Sequence, residues 1–572
     1  MSAFFDFNGK PVKDMQVQSL TARNANFYNM ASKIRGLTDA VEELSDLLIT
    51  APTSLPSNTT PESKTSFNGL VWRTLDGTGN NLIRPQRGSA EELLLRKSSA
   101  DYGVGDVAVR GTLNPNPRVV SNSICKGISP TSTTNLSDIT WIWGQFVDHE
   151  LTLTHTQEGL SPETLPMVTD PLDPNEDFGS PVRTIPFTRS QFEIVSSVRQ
   201  QPNSISAYID ATNVYGTSTE RGYELRRLDG TGKLKTSVAN NGESLMPYNV
   251  SELPNASPTG STPSDFFLAG DVRANENSAL IAMHTVFVRE HNRLCDDLVT
   301  QVPALVGQDE LIYQQARRMV VGIMQQITYG EYLPALLGSF PSYTGYDPTT
   351  DAGIATEFST VGYRIGHTMV SANLQVGTNP ASVVALRDVF FTPSYVQTNG
   401  INDLLVGASN KLQQEIDGIV VPDLQTFLFG PPTLSMLHDL PALNIQRGRD
   451  HGIPGYNALR VAYGLSSISS FSNLPCSVAN QNKLQALYDT VNDIDPWVGC
   501  IVENHVPGSS VGPLIRAILV DQFDRLRRGD RFWYEIDPGL SSEEKLQIKN
   551  TTFSQVLSRN VPYIFSNDVF HV

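Results

Sequence analysis

Cysteine is scarce, with four in 572 residues. That excludes a disulfide scaffold. Cys125 and Cys295 stand alone in the sequence. Cys476 and Cys500 either close a loop worth ~3 kcal/mol or are two reduced, buried thiols. Basic charge is also short: 42 Lys and Arg face 59 Asp and Glu, a net charge of −17. The acidic balance disfavours nucleic acid and anionic membrane as partners. No apolar run approaches the roughly 18 residues of a spanning helix, so no transmembrane segment is expected. Met1 to Asn8 carry neither a basic nor an apolar leader region, so no signal peptide is visible and the location is open between secreted and cytoplasmic. Sequons at Asn58, Asn135, Asn249, Asn255 and Asn550 are near chance in a chain this rich in Asn, Ser and Thr, and do not argue for secretion. Oligomeric state is not readable from the sequence.

What is present describes an ordinary globule, 39% hydrophobic and 18% charged. Residues 1–66 read as an extension and linker. Within them Leu37, Val41, Leu44 and Leu48 keep helical spacing, with Glu42, Glu43 and Asp46 opposite. That polar face has no Lys or Arg, which favours a helix packed on the main body over one lying on a membrane. Ala51 to Ser66 is rich in Pro, Ser and Thr, as a linker is. From 67 to 572 there is no second break in composition and no repeat, so this is one domain. Turn signals crowd 75–135. Helices are expected near 137–153, 217–228, 276–300, 308–329, 381–388, 401–417, 434–447, 479–493 and 511–528. Alternating apolar patterns are rare. The class is mainly α, with long irregular loops and few short strands.

The oddest stretch is Trp141-Ile142-Trp143-Gly144-Gln145-Phe146-Val147-Asp148-His149-Glu150. On a helix Gln145 and His149 share a face, Asp148 borders it and Glu150 is rotated away. An amide, an imidazole and two carboxylates among aromatics are costly to bury without partners. A second helix, near 276–300, repeats its apolar positions at i, i+3 and i+4. Arg289, Glu290, His291 and Arg293 within it suggest a buried polar network. His284 and His291 are seven residues apart, and no His-Glu-x-x-His is present, so core histidines are favoured over metal ligands there.

Five stretches then form an ordered set. They are Trp143-Gly144-Gln145-Phe146-Val147-Asp148-His149; Ser206 to Gly216; Phe267 to Glu276, running into Arg289-Glu290-His291-Asn292-Arg293-Leu294; Tyr363-Arg364-Ile365-Gly366-His367-Thr368; and Leu443 to Asn457. Trp497-Val498-Gly499, Asn504 to Gly508 and Gly529 to Glu535 extend it. Together, over roughly 67–563, they resemble the animal-type haem peroxidases of the peroxidase–cyclooxygenase superfamily, and imply that fold. The few cysteines are unlike the secreted vertebrate members, so a bacterial or fungal member is expected.

The resemblance implies haem b, with His367 as the proximal iron ligand. Asn444 matches the residue whose side-chain carbonyl fixes that ring's tautomer. His149 matches the distal histidine, which moves a proton between the two peroxide oxygens. Arg273 matches the distal arginine, a fixed cation for developing negative charge. The plain alternative for Arg273 is a salt bridge with Asp271 or Glu276. Gln145 resembles the residue beside the halide site. Asp148 and Glu276 match carboxylates that form ester bonds to haem methyls in many relatives, or else stay unlinked and hydrogen-bonded. Asn277 stands where one vertebrate branch has a methionine that adds a sulfonium link, which puts strong chloride oxidation in doubt. Arg364 and Arg447 match positions near the haem propionates, with a packing role as the alternative.

Calcium is implied as well. Ser206, the Tyr208 carbonyl, Asp210 and Thr212 alternate, so in an extended loop their oxygens fall on one side, as hard-cation ligands do. The family completes the site with an Asp after the distal histidine; here it is Glu150. The alternative is a polar loop without metal.

Fatty-acid oxygenases of the superfamily resemble one another in a Tyr three residues before the proximal histidine. Here that residue is Arg364, and Tyr363, if helical, is turned about 100° away. The expected activity is therefore a peroxidase, with hydrogen peroxide as oxidant and phenols, iodide, bromide or thiocyanate as small reductants. A fatty-acid oxygenase, or a non-catalytic adhesion protein on the same fold, are the alternatives.

Overall fold

The computed structural model describes residues 71–572 except 104–107, 112, 158–162, 165, 170–172, 174–181, 259 and 429–436. The extension and linker expected over 1–66 lie outside these residues. Helices dominate, and the described strands form two-stranded antiparallel ribbons. Five helices matter for the site: α1 Asp138–Leu151, α2 Ser278–Gln301, α3 Asp309–Ile327, α4 Gly366–Met369 and α5 Leu440–Asp450.

Two of them begin at a side-chain cap. Asn277 caps α2 by accepting from the Leu280 N–H, and Asp439 caps α5 by accepting from Ala442, with Pro441 in the first turn. Arg447 and Arg449 sit in the last turn of α5, where a cation complements the helix dipole. The apolar stripe of α2 is buried along most of its length, as its spacing predicts.

An aromatic cluster seats α1. Trp143 lies 4.7 Å from Phe553 and 5.7 Å from Phe287, and Phe146 stacks on Phe287 at 5.1 Å. Such pairs contribute ~0.5–1.5 kcal/mol each beyond area burial. The C-terminal residues close over the start of α1. The Phe570 carbonyl accepts from the Ser137 N–H at 2.8 Å and the Thr140 hydroxyl at 3.0 Å, and the Val569 carbonyl accepts from the Ser137 hydroxyl.

Two helices expected from sequence differ. Residues 381–388 are a strand, Val383–Ala385, paired with Asn373–Gln375, followed by a 3-10 turn at Leu386–Asp388. Two adjacent β-branched valines on a half-exposed surface suit a pleated strand. The helix expected over 401–417 stops at Ser409, and 410–417 is irregular chain, part of it bridged to residues 131 and 137. All four cysteines are buried free thiols, so the Cys476–Cys500 alternative resolves to two reduced side chains.

Candidate active site

A cavity lies between α1, the N-terminal end of α2, α4 and the C-terminal half of α5. Gln145, Asp148 and His149 line it from α1, Arg273, Glu276 and Asn277 from the approach to α2, and Arg364 and His367 from the turn before α4 and from α4 itself. The sequence-predicted distal and proximal groups therefore share one cavity.

On the distal side His149 is 1% exposed. Burial, with the nearby Arg273 charge, holds its pKa well below the ordinary histidine range, so the ring is neutral. Its Nδ1 has no hydrogen-bond partner and lies 3.6 Å from Asp271 Oδ1. Asp271 also grips Arg273, accepting from Nε at 2.9 Å, from Nη2 at 2.8 Å and from its backbone N–H. Burial alone would raise the Asp271 carboxyl; the Arg273 charge and hydrogen bonds reverse that and hold it well below the usual range. Arg273 Nη1 donates to the Thr152 carbonyl at 2.9 Å and approaches Asp148 at 3.4 Å. The ion pair with Asp271 thus coexists with a place on the cavity wall. Glu276 is buried, and burial pushes it up to about 7.

On the proximal side His367 is half-buried, and its open face turns to the cavity. Its Nδ1 lies 2.7 Å from the Asn444 side-chain amide. Arg364 Nη1 donates to the Asn444 Oδ1 at 3.1 Å. The sequence reading expected the Asn444 carbonyl to face His367; here the carbonyl takes the arginine and the amide nitrogen faces the ring. Arg447 lines the cavity too, but its Nη1 donates to the Thr188 carbonyl, Ser190 and Asp450, and its guanidinium lies over the Phe187 ring at 4.3 Å. Gly366 opens onto free space, since an added Cβ there would meet nothing within 4 Å. Two imidazoles on one cavity, one with an open cavity face and one with polar groups around it, are the residue types that would serve a haem as ligand and as acid–base group.

Tyr363, in the 3-10 turn Gly362–Ile365, also lines the cavity, and its hydroxyl donates to Tyr332, 3.3 Å away. Tyr332 was not legible in the sequence, and neither was His451, whose ring nitrogens pair with Ser190 and Thr356. Asp271 had one signal, its place two residues before Arg273.

The loop 206–212 packs against the end of α1. Glu150 is fully buried; its Oε1 accepts from the Asp210 and Ala211 N–H groups and its Oε2 from Asn213 N–H at 3.0 Å and the Thr212 hydroxyl at 3.3 Å. Ser206 donates to Asp210 at 2.8 Å. Burial, then the Asp210 charge, pushes Glu150 up, and burial pushes Asp210 up to about 6. Among the described residues no group of three or more His, Cys, Asp or Glu gathers as a metal cluster. Two buried carboxylates with hydroxyls beside them are still a donor set that suits a hard cation. In α2, His291 spends its nitrogens on the Tyr215 hydroxyl and the Gly232 carbonyl, while His284 sits 6.1 Å from His149, ring to ring.

A fold of short ribbons and packed helices around a two-histidine cavity is that of a haem-dependent oxidoreductase. The family model described as animal haem peroxidase matches residues 72–570, and the chain belongs to that family. Peroxinectin A of Dictyostelium discoideum is 33% identical over 87% of this chain and 96% of its own length. Mouse myeloperoxidase is 34% identical over 87% of this chain and 76% of its own. The mouse peroxidasin homolog is 34% identical, but this chain spans only 37% of it. The solved structure of peroxidase A from Dictyostelium discoideum superposes with a TM-score of 0.79 at 32% identity, covering 88% of this chain and 100% of that one. A fatty acid alpha-dioxygenase from Oryza sativa shares the fold alone, at 18% identity and a TM-score of 0.73 over 88% of this chain and 87% of that one. The chain is a haem peroxidase that acts on hydrogen peroxide. No described helix is long and apolar enough to cross a membrane.

Proposed function

We propose that the enzyme binds haem b through His367 and oxidises small reductants, phenols and the anions iodide, bromide and thiocyanate. When bound, the haem supplies the redox chemistry that cleaves peroxide and then accepts electrons from the reductant. His149 would take a proton from one peroxide oxygen and return it to the departing one. Its buried, neutral ring suits the first half of that task. Arg273 steadies negative charge on the departing oxygen, and Asp271 keeps the guanidinium aimed. Gln145 offers an amide to the distal cavity. Arg364 and Arg447, both on the cavity wall, would pair with the propionates. Asp148 and Glu276, both on the cavity wall, are the side chains that would form ester bonds to the ring.

The observation that carries this reading is that His149 and His367 line one cavity. Its test is an absorption spectrum before and after peroxide, with mass analysis of the denatured protein for retained haem. A Soret band that changes on peroxide, followed by guaiacol or iodide oxidation, is expected. A folded preparation that stays colourless with added haem would overturn it. Calcium is proposed at Ser206, the Tyr208 carbonyl, Asp210, Thr212 and Glu150, where it would neutralise the carboxylate pair and tie the loop to α1. Metal analysis and melting with and without chelator test this; an unchanged melting point and no bound calcium would refute it.

A further inference from the structure

Asn277 follows Glu276 and caps α2. Its Oδ1 accepts the Leu280 N–H at 2.9 Å. Only the carbonyl end of an amide can accept there, so the NH₂ end faces the other way. It faces α1, and donates to Gln145 Oε1 at 3.0 Å. This fixes a second amide. With its oxygen held by Asn277, Gln145 has its NH₂ group on the remaining side. That NH₂ group is left for the cavity that Gln145, Glu276 and Asn277 all line. The orientation thus passes from one backbone N–H through two side chains to the distal wall.

We propose that Asn277 is a positioning residue for specificity: it locks Gln145 with an N–H donor turned into the distal cavity, and so favours anionic reductants over neutral ones. The inference rests on Gln145 facing the reductant, as proposed above. A donor there can hydrogen-bond a halide or thiocyanate, and such charge-assisted bonds are the stronger kind. The reversed amide would present a carbonyl oxygen and repel the same anion. A neutral phenol, which both donates and accepts, is indifferent to the choice.

The test is Asn277→Ser. Serine keeps a capping hydroxyl for Leu280 but stops short of Gln145. The iodide KM and the thiocyanate Kd, read from the Soret shift of the resting holoenzyme, are expected to rise about tenfold, the equivalent of one charge-assisted hydrogen bond. Guaiacol kcat/KM should stay within about twofold, the scatter of a neutral surface change. Asn277→Asp is the second variant, because it keeps the cap and the shape but can no longer donate; it should weaken anions at least as much. In a Gln145→Ala background, Asn277→Ser should leave the thiocyanate Kd unchanged, since the two act as one unit. An unaltered iodide-to-guaiacol ratio in both variants overturns the proposal. So does an equal fall for both substrates, which marks a packing role, and so do additive losses in the double variant. Absence of a Soret band or of guaiacol turnover in the parent enzyme would instead defeat the peroxidase reading of the site.

Discussion

The two histidines of the cavity are the same side chain, and what stands behind each ring suits it to the task proposed for it. Behind His367 is a neutral amide at 2.7 Å, close and fixed. Behind His149 is the carboxylate of Asp271 at 3.6 Å, beyond hydrogen-bond length and shared with Arg273. A ligand must not drift, so its ring is held tightly by an uncharged partner. An acid–base group must gain and lose a proton, so its ring is backed loosely by a charge that can steady the imidazolium when it forms. The difference between the walls is thus one of stiffness and charge, not of residue type.

That contrast can be broken most sharply at its tight end. His367→Ala should lose haem altogether, read as an absent Soret band in a protein whose circular dichroism is unchanged. His149→Ala should keep the band and lose ~10²–10⁴-fold in the rate of reaction with peroxide, measured by stopped flow. Haem lost equally from both would erase the distinction between the walls. Asp271→Asn is expected to retain haem and slow the peroxide step by about tenfold, since Arg273 loses its paired charge while its position is partly kept.

The smallest effect is a control away from both rings. Burial pushes Glu331, which accepts the Phe553 N–H, up to about 7. A carboxyl raised in the folded state contributes its full stability below the unfolded value near 4.3 and loses it as pH climbs through about 7. Glu331→Gln should therefore melt above the parent at pH 8, by about 1–2 °C for a chain this long, and no higher at pH 4.5. Both proteins should show the same Soret band; a variant that alters it would tie Glu331 to the cavity.

Much of this was legible in the chain. Helices α1 and α2 appeared at the expected places, and Gln145, Asp148, His149, Arg273, Glu276 and His367 all reached one cavity. Local rules fixed what local signals encode. They failed where a side chain's role depends on another segment. Asp271 looked like a rival for Arg273, and only the fold shows it beneath His149 as well. Asn277 registered as a departure from one branch of relatives, because its bond to Gln145 crosses 132 residues of chain. Residues 381–388 were misjudged because eight residues are too few to tell a helix from a strand on composition alone.

The clasp between Val569, Phe570 and the first turn of α1 joins segments 432 and 430 residues apart. The element that carries His149 is therefore seated only when both distant stretches have come together, so the seating of that ring reports on the folding of the whole domain. Loosening the clasp should blunt the reaction with peroxide without altering any group on the cavity wall.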